Sequence, residues 1–116
     1  MVTRCEIKLK CKKDLSVQMG PMFHGALMEL LSVDYANELH QSKLHPYAQH
    51  LERRGDEWYW IVCCLNREAS EQIVNITLKN ICSLEIKKIG CRIELEEKKI
   101  LSISHRELMD RFYSSD

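Results

Sequence analysis

From residue 3 to residue 12 the chain alternates without a break: Cys5, Ile7, Leu9 and Cys11 fall on one side of an extended backbone, and Arg4, Glu6, Lys8, Lys10 and Lys12 on the other. This is a strand buried on one side, so the rest of the chain must supply a sheet around it and a cover for its apolar face. The helical patterns that follow fit that cover. After Asp14, Ser16 and a Gly20-Pro21 turn signal, Phe23, Ala26, Leu27, Leu30 and Leu31 recur at helical spacing and predict a helix over about 22–31. Asp34 is placed to cap a second short helix in which Tyr35 and Leu39 share a face, ending near 40–42.

Pro46 lacks a ladder donor and makes 44–52 an edge or irregular strand. Residues 57–65 are aromatic and β-branched, and Arg53-Arg54-Gly55-Asp56 before them carries hairpin chemistry. Asn66 then caps a helix over about 67–79 with Ala69, Ile73 and Ile76 on one face and Val74 and Leu78 pointing elsewhere. Cys82, Leu84 and Ile86, then Cys91, Ile93 and Leu95 across Gly90, then Leu101 and Ile103 beyond a charged Glu96-Glu97-Lys98-Lys99 turn, alternate as short strands. Ser104-His105-Arg106-Glu107 fits a capping box for a terminal helix striped by Leu108, Met109 and Phe112. The order is β-α-β-β-α-β, an α+β ferredoxin-like fold with a split first helix and an extra C-terminal helix, in one domain over 1–116.

Charge narrows the function classes. Lys and Arg total 17 against 17 Asp and Glu, so no overall basic field draws in nucleic acid or acidic lipid, and any such affinity is local. The longest apolar run, Trp58 to Leu65, falls far short of the roughly 20 residues a membrane-spanning helix needs. The N-terminus does not read as a secretory signal, which places the chain in the cytoplasm. There the six cysteines, at 5, 11, 63, 64, 82 and 91 with no C-x-x-C pair, serve as small core residues, and neither a metal nor another cofactor is expected.

The densest polar chemistry runs from His40 through Lys43 and His45 to Tyr47, with His24 upstream and His50 downstream. Spacing by five keeps His40, His45 and His50 from forming a metal-ligand set, and Cys63 and Cys64 lie mid-strand with no cation to activate them. Acid-base chemistry fits better. His40 falls at a helix end, where its imidazole can exchange a proton near neutral pH, and Lys43 brings a fixed positive charge three residues later. Such a pair suits RNA self-cleavage: the histidine moves a proton at the 2′-hydroxyl or the leaving 5′-oxygen while the lysine stabilises charge on the phosphate. The plainer alternatives are a helix-end cap for His40, a solvated charge for Lys43 and a half-buried spacer for His24. Lys8, Lys10, Lys12 and Lys13 form a second candidate, a basic face that can track a phosphate backbone or guard a strand edge against aggregation. Trp58 and Trp60 share one face and Tyr59 takes the other, so at least one set belongs to the core.

The run from Met19 to Leu31 (MGPMFHGALMELL), followed by Tyr35-Ala36-Asn37-Glu38-Leu39-His40 and then Lys43-Leu44-His45-Pro46-Tyr47, resembles the N-terminal half of the CRISPR-associated repeat-processing endoribonucleases, the Cas six family. The resemblance covers nearly the whole chain. It implies metal-independent cleavage of precursor CRISPR RNA at its repeats, leaving a 5′-hydroxyl and a 2′,3′-cyclic phosphate, with His40 as the acid or base and Lys43 matching the lysine beyond it. The tyrosine that some members carry on the first helix falls near Met28, which leaves the third catalytic partner open. The implied partners are CRISPR repeat RNA and subunits of a CRISPR effector complex, with a homodimer as a further state. Members normally continue into a second ferredoxin-like domain with a glycine-rich loop; four glycines and no such loop make this chain the expected N-terminal half, with little or no cleavage alone. The alternative is a non-catalytic ferredoxin-like module that binds RNA or docks onto a subunit.

Overall fold

A computed structural model describes residues 2–42 and 46–103. The alternating first segment forms β1 (Val2–Lys10), with Cys5, Ile7 and Leu9 buried and Arg4, Glu6 and Lys8 only partly covered. A tight turn, Val17–Met19, leads into α1 (Gly20–Leu30), and Gly20-Pro21 is the first turn of this helix instead of a turn before it. Proline is accommodated there because the first-turn amide it lacks would have had no helical partner. Helix α2 (Val33–Gln41) buries Tyr35 and Leu39 as the spacing requires. Its cap is Ser32, whose Oγ accepts from the Tyr35 amide at 3.2 Å; Asp34 sits in the first turn, where its charge favours the helix N-terminus.

Strands β2 (Tyr47–Arg54) and β3 (Glu57–Cys64) form the expected hairpin, closed by Gly55 at φ +65°. The third helix starts at α3 (Arg67–Ala69), capped by Asn66 Oδ1 on the Ala69 amide at 2.8 Å, and widens to a π-type helix over Ser70–Thr77 before closing in the turn Leu78–Asn80. Strand β4 (Ser83–Ile86) and the long β5 (Cys91–Ile103) form a second hairpin across a left-handed Gly90. All pairings are antiparallel, in the order β2-β3-β1-β5-β4, which is the ferredoxin-like sheet with one added edge strand.

Trp60, Phe23, Ile7, Leu27, Ile73, Leu78 and Ile93 fill the core between the helices and one sheet face. Gln49 pins these layers together: its Oε1 accepts from Trp60 Nε1 at 2.9 Å, and its Nε2 donates to the Gly20 carbonyl at 3.0 Å. The burial of Trp60 beside a half-covered Trp58 assigns that face to the core, while Tyr59 lies on the other side under the Arg54 guanidinium, 4.6 Å from its ring.

Several local expectations are corrected. Glu96 to Lys99 form no turn; β5 runs through them and absorbs one extra residue as a bulge, since Ile7 pairs with Lys98 but Leu9 with Leu95. On the third helix Val74 and Leu78 are buried, while Ile76 is 52% exposed. An α-helix turns about 100° per residue, which would align 69, 73 and 76. The wider winding, with Thr77 Oγ1 donating to the Gln72 carbonyl five residues back, turns 74 and 78 inward instead. Cys82 is exposed and Cys11 and Cys63 half-buried, so only Cys5, Cys64 and Cys91 are core residues. The capping box at 104–107 and its helix lie outside the described residues. Among those described, no helix is long and apolar enough to cross a membrane.

Candidate functional site

The fold brings together two histidines and a tyrosine from three elements. His24 stands on α1 and Tyr47 opens β2, and the Gln49 bridge to Gly20 holds those two elements in register one helical turn and one strand repeat away. Tyr47 Oη and His24 Nδ1 are hydrogen-bonded, and their rings stack with centroids 5.7 Å apart and planes 9° from parallel. Burial pushes the Tyr47 phenol up to about 12, so it keeps its proton. Where the phenol donates to Nδ1, the proton of neutral His24 sits on Nε2.

Burial, and secondarily the nearby charge of His40, hold His24 below the ordinary imidazole range. His40 itself is exposed on the last turn of α2, which ends where the Ser42 amide donates to the Glu38 carbonyl at 3.0 Å. The group therefore consists of one sheltered imidazole, His24, and one open imidazole, His40. The sequence puts Tyr47 in the polar cluster but gives it no role, because 23 residues separate it from His24 and no spacing rule joins a helix to a later edge strand. Lys43 and His45 lie outside the described residues. His50 stands exposed on the edge strand β2, with Nε2 3.9 Å from Glu52.

The expected basic face is more balanced than its sequence. Lys8, Lys10 and Lys13 line one concavity of about 700 Å³ with Arg53, but Asp14, Asp56, Glu57 and Glu96 line it too. Lys8 Nζ pairs with Glu57 at 2.9 Å, and Lys13 Nζ donates to the Ile89 carbonyl at 2.6 Å. Lys10 and Lys12 are exposed or partly so, and Lys12 is not part of that lining. These lysines do not guard an edge, because β1 is the central strand. A second concavity, of about 410 Å³ beside the end of α2, holds Glu38 and Glu68, whose mutual repulsion raises the Glu38 carboxyl. It disfavours a phosphate. Among the described residues no three His, Cys, Asp or Glu side chains converge to hold a metal.

The chain is 30% identical to a CRISPR-associated endoribonuclease Cas6 of Streptococcus thermophilus over 109 residues, which is 88% of this chain and 43% of that protein. The chain belongs to the Cas6 family. Two Cas6 endoribonucleases of Mycobacterium tuberculosis, from strains CDC 1551 / Oshkosh and ATCC 25618 / H37Rv, are each 40% identical over 57 residues, 48% of this chain and 18% of theirs. The chain thus spans less than half the length of the Cas6 relatives it matches. No protein-family model matches it.

Proposed function

We propose that this chain is the acid-base half of a two-domain endoribonuclease that processes precursor CRISPR RNA at its repeats. In this reading the 2′-hydroxyl gives up its proton and attacks the adjacent phosphorus, the bond to the 5′-oxygen breaks, and that oxygen is reprotonated, leaving a 2′,3′-cyclic phosphate and a 5′-hydroxyl without a metal. His40 moves one of the two protons, and Lys43 stabilises the charge that builds on the phosphate. Lys8, Lys10, Lys12 and Lys13 contribute local attraction to the RNA backbone, and effector subunits or a second copy of the chain are further partners.

The observation that carries this reading is the open His40 imidazole at a helix end, close enough to a second, neutral imidazole to influence its charge. The similarity to Cas6 endoribonucleases supports the substrate class. Substituting His40→Ala in the two-domain parent is expected to lower repeat cleavage by roughly 10²–10⁴ while RNA affinity stays nearly constant. Unchanged cleavage would refute the role of His40 and favour the docking-module reading, with which the mixed charge of the lysine concavity is compatible.

A further inference from the structure

Where β1 ends and β5 begins, the sulfurs of Cys11 and Cys91 lie 2.7 Å apart, although 80 residues separate them in the chain. That separation is well inside ordinary sulfur contact and needs little closing to reach the roughly 2.05 Å of a covalent bridge. The two thiols differ in access. Cys11 is half-buried at the wall of the 700 Å³ concavity, where a small reagent can reach it, whereas Cys91 is 5% exposed and faces Cys11 from inside. The hydrogen bond with Cys11 and burial hold the Cys91 thiol above its ordinary range, and Lys13, its ammonium fixed on the Ile89 carbonyl beside the pair, partly offsets that.

The other cysteines offer no comparable arrangement. Cys5 and Cys64 are fully buried, and burial pushes their thiols up to about 11 and about 12. Cys63 is half-buried next to Cys64 on β3, and Cys82 is exposed. We propose that Cys11 and Cys91 are a reversible redox pair, in which Cys11 is the accessible, attacking thiol and Cys91 the resolving one, converted to a disulfide by a small-molecule disulfide such as oxidised glutathione.

The exchange balances. The Cys11 thiolate attacks a glutathione sulfur, its S–S bond breaks and one glutathione thiolate leaves. The Cys91 thiolate then attacks the Cys11 sulfur and displaces the second. Two electrons pass from the protein thiols to glutathione disulfide, and two thiol protons go to the departing glutathiones or to solvent. Because the bond joins two neighbouring strands, it ties the exit of β1 to the start of β5 beside Lys8, Lys10 and Lys13. This proposal does not depend on RNA cleavage.

The test uses the 116-residue chain equilibrated with oxidised and reduced glutathione, quenched by alkylation and mapped as non-reduced peptides. The expected product joins the Cys11 and Cys91 peptides at a redox poise where Cys82 is still mostly free. Its thermal midpoint should rise on the order of 10 °C over the reduced chain, as expected for a bridge closing so long a loop. In Cys91→Ser the glutathione should remain stuck on Cys11, and in Cys11→Ser the sheltered Cys91 should stay unmodified. If Cys91→Ser does not fold, the wild-type peptide map and Cys11→Ser still decide. Full alkylation of both cysteines under conditions that glutathionylate Cys82, or a stable mixed disulfide on Cys11 in the wild-type chain, would overturn the proposal.

Discussion

Replacing Tyr47 by Phe removes one oxygen and leaves the ring that stacks on His24 in place. Loss of that single hydrogen bond should cost about 0.5–1.5 kcal/mol at pH 8, since the ring fills the same space and no cavity forms. For a domain of this size that is a fall of roughly 3–6 °C in thermal midpoint. The pH dependence carries the diagnostic information. His24 titrates below the ordinary 6.5 in the folded chain, so above about pH 6.5 both folded and unfolded forms hold it neutral and its contribution is complete. As the pH falls, the unfolded chain takes up the proton first and stability drops until the folded imidazole is protonated as well.

Without the phenol proton on Nδ1, neutral His24 loses a specific partner and its pKa moves back toward 6.5, although burial and His40 still hold it down. The acid-side loss becomes smaller. The gap between wild type and Tyr47→Phe should therefore be widest at pH 8 and narrow by pH 5, as followed by denaturant melts at both values. Long-range proton–nitrogen NMR of the imidazoles should show His24 protonated on Nε2 in the wild type and a mixture of tautomers in the variant. A stability gap that is independent of pH, or an unchanged His24 tautomer and titration, would refute the assignment of Tyr47 as donor to a neutral His24.

Two further outcomes follow from the packing and from the thiols. Gln49→Ala strips Trp60 Nε1 of its acceptor and the Gly20 carbonyl of its donor, and should cost on the order of 2 kcal/mol in chemical denaturation, whereas a surface glutamine change would cost almost nothing. In the folded chain at pH 8, a maleimide should modify Cys82 first and leave Cys5 and Cys64 untouched, as read by mass spectrometry over time; early labelling of Cys64 would contradict its burial on β3.

Elements whose residues repeat at the period of their own backbone were legible in the chain itself. The alternation of β1, the aromatic hairpin strand β3 and the Asn66 cap translate directly into structure. What misled was a departure from standard winding or pairing. The π-type stretch changed the angular step of the third helix and so exchanged Ile76 for Val74 and Leu78, and a bulge let β5 carry four consecutive charged residues that read as a turn. Asp34 and Ser32 are both competent caps, and only the backbone decides which stands at the boundary. The place of His40 at a helix end was legible because that end is set locally. The bond of His24 to Tyr47 was not, because it depends on how α1 packs across an edge strand.

The position of β1 also constrains how the chain is made. It is made before both of the strands that flank it: Thr3 waits for Cys64, and Val2 for Ile103. Until then its two hydrogen-bonding edges are open and its apolar side has no complete cover, a situation that favours pairing between nascent strands of neighbouring polypeptides. The charged residues interleaved along that strand, Arg4, Glu6, Lys8 and Lys10, oppose such pairing by mutual repulsion and solvation until β5 pairs beside it.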